Sequence, residues 1–280
     1  MKNAFTIDVE DYFQVEAFSK AVDRSQWDNY PFRAERNTQL ILDLLDKHHI
    51  KGTFFILGWV AKKAPYIVKE IASRGHEIAC HGMSHRLIYT QDKKVFQDET
   101  RESKKLLEDI CQQEVIGYRA ATYSITEKSL WALDILVEEG FKYDSSIFPM
   151  RHDRYGIPDA NPLPHKLATP SGATIIEFPI TVLRKKHLTL PVAGGGYFRL
   201  LPYALTKWGL NQINKQDQSF VFYLHPWEVD PEQPRIKGAG ILSNIRHYTN
   251  LRKTTPRLDN LLDSFPFDTM SECLKDLNLL

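Results

Sequence analysis

The sequence predicts an α/β fold of parallel strands, closed as a barrel or open as a sheet. Two observations carry this. Short continuous apolar runs such as Gly52-Thr-Phe-Phe-Ile-Leu57 alternate with segments of helical apolar spacing, the pattern of strands covered on both faces by helices. Polar, chemistry-bearing residues fall directly after those runs, at the strand ends where parallel α/β folds gather their sites.

In chain order, Asn3 to Ile7 reads as a first buried strand, and Asp8, Glu10 and Asp11 arrive at its C-terminal end. Tyr12 to Arg33 is irregular and rich in aromatics; Leu40, Ile41, Leu44 and Leu45 then recur at helical spacing. The Gly52–Leu57 strand follows. Val60, Ala64, Ile67, Val68 and Ile71 predict one further helix, stopped near Gly75. His76 to Cys80 is the next strand, Asp92 to Ile110 a long polar helix, and Val115 to Tyr118 another strand. Thr126 is expected to cap a helix running to Glu139, with Gly140 after it. Strands near Ile175–Phe178 and Ser219–Leu224 flank a helix of about Pro202 to Asn214. Gly194-Gly195-Gly196 is either a bare-backbone substrate cradle or a tight bend before that helix. Gly238 to Lys253 is expected over the site or at an edge, and the apolar residues from Leu258 onward predict a closing helix and strand.

Composition narrows the class. The 280 residues are 42% hydrophobic and 25% charged with a net charge of +1, which suits a soluble globular protein and gives no overall footprint for nucleic acid or for an anionic membrane surface. Three cysteines with no CxxC pair argue against a disulfide framework. The longest apolar run, Phe54 to Ala61, is too short to span a bilayer. Asp8 stands where an export signal would need its apolar core, so a cytoplasmic protein is expected. His48-His49 ends a helix and is expected to be solvated.

Five polar clusters follow five apolar strands: Asp8-Glu10-Asp11, His81 with His85, Arg119, Asp144 and His225. Carboxylates this close repel one another unless a cation or an arginine sits among them. Two imidazoles at i, i+4 plus a carboxylate make a three-ligand site with coordination positions left open, suited to zinc or to Mn²⁺, Co²⁺ or Ni²⁺. A second carboxylate can accept a proton from water, an arginine can hold that carboxylate ionised, and a histidine opposite can protonate a leaving group. This is the equipment of a metal-assisted amide or ester hydrolase. Tyr197, Trp227, Tyr12 and Phe13 offer flat faces either for sugar rings or for packing under long loops.

Together these residues resemble the polysaccharide deacetylases with the NodB homology domain, carbohydrate esterase family 4. Within them the chain is similar to deacetylases of PEP-CTERM/exosortase exopolysaccharide loci in Asp8-Val-Glu-Asp-Tyr-Phe-Gln14, Gly194-Gly-Gly-Tyr-Phe-Arg199, His225-Pro-Trp-Glu228 and His247 to Arg257. The resemblance covers nearly the whole chain. It implies a distorted (β/α) barrel of about seven parallel strands, one domain over 1–280 with a C-terminal extension from about residue 230, and removal of N-acetyl groups from a sugar. Asp8 matches the family's catalytic base and Arg119 the arginine that holds it. His81 and His85 match the histidine ligands, with Gly82 where the family has Ser or Thr. Val9 occupies the place of the family's usual aspartate ligand; Glu10 is expected to take that role, with Asp11 as the alternative. Arg119-Ala-Ala-Thr122 replaces Arg-x-Pro-Tyr, and the Thr122 backbone N–H is expected to help bind the oxyanion. Leu224-His225 stands for Leu-x-His, with His225 as the acid and Asp144 as the aspartate that orients it. A small-ureide amidohydrolase of the same fold and a non-catalytic carbohydrate-binding protein are the competing readings.

Overall fold

The structure is a computed structural model and describes residues 2–152, 154–185 and 188–280. Its strands are β1 (Asn3–Val9), β2 (Thr53–Ile56), β3 (Glu77–Cys80), β4 (Gly117–Tyr118), β5 (Tyr143–Asp144), β6 (His165–Ala168), β7 (Thr174–Glu177), β8 (Val182–Lys185), β9 (Leu188–Pro191), β10 (Val221–Leu224) and β11 (Phe267–Asp268). The main sheet runs β10-β1-β2-β3-β4-β5-β7-β6. Every neighbouring pair on that path is parallel except β6 with β7. Seven parallel strands therefore curl into a half-barrel, as expected, with an antiparallel edge strand that sequence patterning did not reveal. β8 and β9 form a separate antiparallel pair, also unanticipated.

β1 is central and buried along its whole length. Its neighbours explain why: β10 and β2 flank it, and β11 pairs with its first residues. With no face or edge open to water, a mainly apolar strand, polar only at Asn3, Thr6 and Asp8, is what the position demands.

The helices are α1 (Ala34–Lys47), α2 (Gly58–Lys63), α3 (Pro65–Ser73), α4 (Lys93–Cys111), α5 (Trp131–Glu138), α6 (Gly195–Leu200), α7 (Tyr203–Asn214), α8 (Ile241–Tyr248), α9 (Leu251–Ser264) and α10 (Met270–Asp276). The helix expected from Val60 to Ile71 is two helices. Ala64, at φ −141° and ψ 66°, breaks it, because Pro65 disfavours helical backbone in the residue before it. α5 begins at Trp131 rather than beside Thr126. The Ser129 hydroxyl accepts from the Thr126 N–H at 2.9 Å and donates to the Ser124 carbonyl at 2.9 Å, closing a turn ahead of the helix. His48 is not solvated: its ring lies 2.7 Å from Asp259 and 3.1 Å from Asp263.

Candidate active site

Register brings the strand ends together. Asp8 lies opposite Phe55 and Ile7 opposite Leu224, which places Asp8 and His225 side by side. Cys80 lies opposite Tyr118, so His81 and Arg119 follow at the same level. The extended chain returns every second residue to one face, so Thr6 and Asp8 share a face of β1, and Glu10 follows the strand in a turn closed by its N–H on the Asp8 carbonyl at 3.0 Å.

Arg119 is fully buried, and its bonds account for its charge. It donates to Asp8 Oδ1 at 2.6 Å, to Thr6 Oγ1 at 2.8 Å, to the Ser145 carbonyl at 3.2 Å and to Ser145 Oγ at 3.0 Å. Its guanidinium also lies 4.0 Å from the Phe55 ring centre, a cation–π contact that strengthens when desolvated. Asp8 Oδ1 is thus occupied, and Oδ2 is the oxygen 4.0 Å from His225 Nε2.

Glu10, His81 and His85 are all buried and offer ligand atoms within 4.8 Å of one another. His81 Nδ1 lies 2.8 Å from the Arg119 carbonyl. A carbonyl only accepts, so Nδ1 carries the proton and Nε2 is left with a free lone pair, the second-sphere arrangement typical of a metal-binding imidazole. Burial pushes His81 down to about 4, which keeps the ring neutral. His85 Nε2 is 2.5 Å from Glu10 Oε2, yet that oxygen has no hydrogen-bond partner. Two ligand atoms facing each other this closely, with His81 alongside, fit a shared cation. Burial opposes ionisation of Glu10, but the neighbouring imidazoles, His85 and His225 foremost, outweigh it and hold the carboxyl at about 2. The residues present fit a divalent metal. His85 sits in the left-handed region at φ 52° and Gly82 at φ 74°. The Gly82 position explains why no Ser or Thr stands there.

Asp11 is not part of this set. Its carboxylate accepts from the backbone N–H groups of Arg33 at 2.6 Å, Ala34 at 2.8 Å and Tyr12 at 2.8 Å. It caps the start of α1 and points away from the histidines, so the alternative ligand choice is corrected in favour of Glu10.

His225 is held differently from the expectation. Glu228 Oε1 lies 2.9 Å from its Nδ1 and accepts from its backbone N–H at 3.1 Å. Glu228 Oε2 accepts from Arg199 Nε at 2.6 Å, and Arg199 in turn donates to the carbonyls of His247 and Thr249 at 2.9 and 2.8 Å. Asp144, expected to orient His225, instead accepts from Ser146 Oγ at 2.5 Å and from the Ser146 N–H at 3.2 Å. Ser146 Oγ itself accepts from the Ala120 N–H at 2.8 Å. Asp144 therefore braces the Arg119 loop, and Glu228 takes the place assigned to it. Burial disfavours the charged form of His225, but Glu10, Glu228 and Asp8 overcome this and raise it to about 9. Burial likewise opposes ionisation of Glu228, and Arg199 and His225 hold it down at about 2.

Above this floor opens a cleft of about 430 Å³ lined by Asp8, Glu10, His81, His85 and His225, with Thr122, Tyr197 and Trp227 on its walls. Thr122 and Tyr123 are both left-handed, at φ 55° and 52°, a strained conformation for a β-branched residue that a site can hold in place. Trp227 is only 5% exposed. Its ring stacks on His225 at 5.2 Å and on His247 at 4.1 Å, so neither face is free for a sugar. Its Nε1 donates to Glu10 Oε1 at 3.2 Å, which makes it a support of the metal ligand instead of a stacking platform. Tyr12 and Phe13 are buried as well, with Phe13 stacked on Tyr30 at 5.2 Å.

Residues 24–139 match the family model described as "Polysaccharide deacetylase". The chain carries a polysaccharide deacetylase domain. Residues 145–275 match a second model, "Domain of unknown function (DUF3473)". The chitooligosaccharide deacetylase of Rhizobium leguminosarum is 31% identical over 99 residues, 35% of this chain and 43% of that protein. A peptidoglycan-N-acetylglucosamine deacetylase of Bacillus cereus is 43% identical over 81 residues, 29% of this chain and 28% of its own. The matched stretches thus span less than half of these relatives. Among solved structures, a Mycobacterium smegmatis protein assigned as a polysaccharide deacetylase superposes with TM-score 0.67 at 19% identity, over 99% of this chain and 90% of that one. Puue allantoinase superposes with TM-score 0.63 at 13% identity, over 95% and 86%. Both likenesses concern the fold. No helix among the described residues is long and apolar enough to cross a membrane.

Within the deacetylase fold, sequence reasoning missed Glu228 and Arg199 as parts of the site. One signal was available for Glu228: it stands three residues after His225, and Pro226–Val229 is a single tight turn of 3₁₀ helix that brings such a pair together. Gly195 offered a second clue. A Cβ there would stand 1.9 Å from Glu228 Oε1, so the glycine leaves room for the carboxylate.

Proposed function

We propose that this protein is a metal-dependent hydrolase that removes N-acetyl groups from a sugar of an exopolysaccharide or its precursor. One observation carries the reading: a proton acceptor, a three-ligand metal set and a proton donor share the floor of one cleft. His225 Nε2 lies 4.0 Å from Asp8 Oδ2 and 3.7 Å from Glu10 Oε1. His81, His85 and Glu10 would hold the ion, and two imidazoles with one carboxylate favour zinc. Bound there, the ion supplies Lewis acidity and a water of lowered pKa.

The chain's own groups do the rest. Asp8, with Oδ1 engaged by Arg119, has Oδ2 available to take the proton of the attacking water. Thr122, through its backbone N–H, faces the acetyl oxygen as negative charge develops on it. His225, fixed at Nδ1 by Glu228, presents Nε2 to the sugar nitrogen. Water's oxygen joins the acetyl carbon, the C–N bond breaks, and His225 gives the nitrogen its proton. Acetate and a free amine result. Tyr197 offers the cleft an aromatic wall for a sugar ring.

The exopolysaccharide assignment rests on the resemblance in the long strings around Asp8, Gly194 and His225. The test combines elemental analysis of purified protein with acetate release from a panel of N-acetylated saccharides and cyclic ureides. One divalent ion per chain with acetate release is expected. Ureide hydrolysis without acetate release, or saccharide binding with no hydrolysis, overturns the reading.

A further inference from the structure

α8 carries an apolar face that nothing among the described residues covers. Ile241, Leu242 and Ile245 are 80%, 69% and 53% exposed. At roughly 100° per residue these three span about a quarter of the helix circumference. The opposite side is anchored. His247 is buried, stacked on Trp227 at 4.1 Å and 4.6 Å from the Phe18 ring, and its Nε2 lies 2.7 Å from Gln233 Oε1. The helix is thus pinned against the site with its apolar face turned outward. Arg246 and Ser243, between the two sides, line the cleft.

The charge along this segment is one-sided. From Gln233 to Leu258 the sequence holds Arg235, Lys237, Arg246, Arg252, Lys253 and Arg257 and no Asp or Glu. All of these but Arg257 are exposed, in a chain whose net charge is only +1. Isolated exposed leucines are ordinary, but a contiguous apolar helix face within a segment whose exposed charges are all basic is the arrangement of a helix lying in the interface of an anionic bilayer. Anionic lipid attracts each nearby Lys or Arg, and the apolar side chains enter the boundary between headgroups and acyl chains.

We propose that α8 docks this protein on an anionic membrane surface, with the cleft mouth held beside the bilayer so that it receives a sugar displayed there. The partner is a lipid surface, because a second copy of the chain would bring the same basic segment against itself. The idea deepens the deacetylase reading by naming where the substrate is presented, but its test does not depend on hydrolysis.

Cosedimentation of the full chain with phosphatidylglycerol/phosphatidylcholine vesicles, and with phosphatidylcholine alone, reads it directly. Binding to the anionic vesicles is expected, weakening at least tenfold as salt rises from 50 to about 500 mM, since exposed charge is screened. The triple variant Ile241→Ser, Leu242→Ser, Ile245→Ser is expected to bind at least tenfold less. Its acetate release from a short soluble N-acetylated saccharide should be unchanged, because none of the three lines the cleft. No binding by the native chain, or equal binding by the triple variant, overturns the proposal. A concentration-dependent dimer that the variant abolishes, without vesicle binding, assigns the face to self-association instead. If vesicle binding is found in a protein that releases no acetate, the docking stands and the deacetylase reading fails.

Discussion

The two halves of the chain build the site by different means. Up to Arg119, each functional group comes from a strand end or the loop directly after it: Asp8 and Glu10 from β1, His81 and His85 after β3, Arg119 after β4. Beyond residue 145 the contribution is a single strand end, His225, plus a support assembled from the glycine-led helix α6, a 3₁₀ turn and α8. In the first half the scaffold itself sets the geometry. In the second half, side chains hold one another: His225 to Glu228, Glu228 to Arg199, Arg199 to the carbonyls closing α8. A group positioned by strands tolerates little change at one residue, whereas a group positioned by a chain of side chains can be loosened link by link.

Breaking the first half should have the largest effect. His81→Ala removes a ligand and is expected to abolish metal binding and, with it, acetate release; elemental analysis of the purified variant checks this, and full occupancy would rule the site out. Glu10→Gln should weaken metal affinity, while Asp11→Asn should leave it intact. The cap carboxylate of Asp11 instead contributes roughly 0.5–2 kcal/mol of stability, readable as a lower denaturant midpoint. If Asp11→Asn lost the metal and Glu10→Gln kept it, the two neighbouring carboxylates would have exchanged roles.

Loosening the second half should cost less. Glu228→Gln keeps the shape but removes the charge that fixes and protonates His225. A fall in kcat of about 10–100-fold is expected, the usual worth of such outer partners, with the metal retained. The sign of the pH effect follows from charge: Glu228 raises His225, so its loss should move the alkaline limb of the rate profile to lower pH. Gly195→Ala, whose Cβ would meet Glu228 Oε1, should reproduce that shift; an unchanged profile in both variants would mean that His225 is oriented by something else.

The effect with no bearing on catalysis lies away from the cleft. His76 accepts from the Gly52 N–H at 3.1 Å, and burial lowers it from 6.5 to about 4. It is neutral in the fold and protonates sooner when unfolded. Its contribution is therefore complete above pH 6.5 and is lost as pH falls toward 4, up to about 3 kcal/mol. Denaturation of His76→Gln across that window should show a shallower loss than the native chain, and parallel curves would contradict the assignment.

The same division explains what could be read from the sequence. β1 to β4 and the residues after them were legible, because buried parallel strands are continuous apolar runs and their polar successors stand out. The family resemblance and the i+2 spacing from Asp8 favour Glu10 over Asp11, and the structure sets Glu10 beside His81 and His85. β6, with its alternating burial and polar content, and the β8–β9 pair carried no comparable signal. Asp144 follows an apolar run as a site residue should, yet Ser146 takes its carboxylate. Trp227 has the composition of a sugar platform, but stacking on both faces is a tertiary fact that spacing does not encode. Glu228 was hidden inside Pro-Trp-Glu, where only the tight turn after His225 brings it under the imidazole.

The central claim is that Asp8 accepts the proton of the attacking water while Glu10, His81 and His85 hold the metal. Asp8→Asn tests it most directly, because the amide keeps the shape and the Arg119 contact yet takes no proton at neutral pH. Acetate release should fall by about 10²–10⁴-fold, with one metal ion still bound per chain by elemental analysis. Near-normal turnover with the metal in place would contradict the account at its central step.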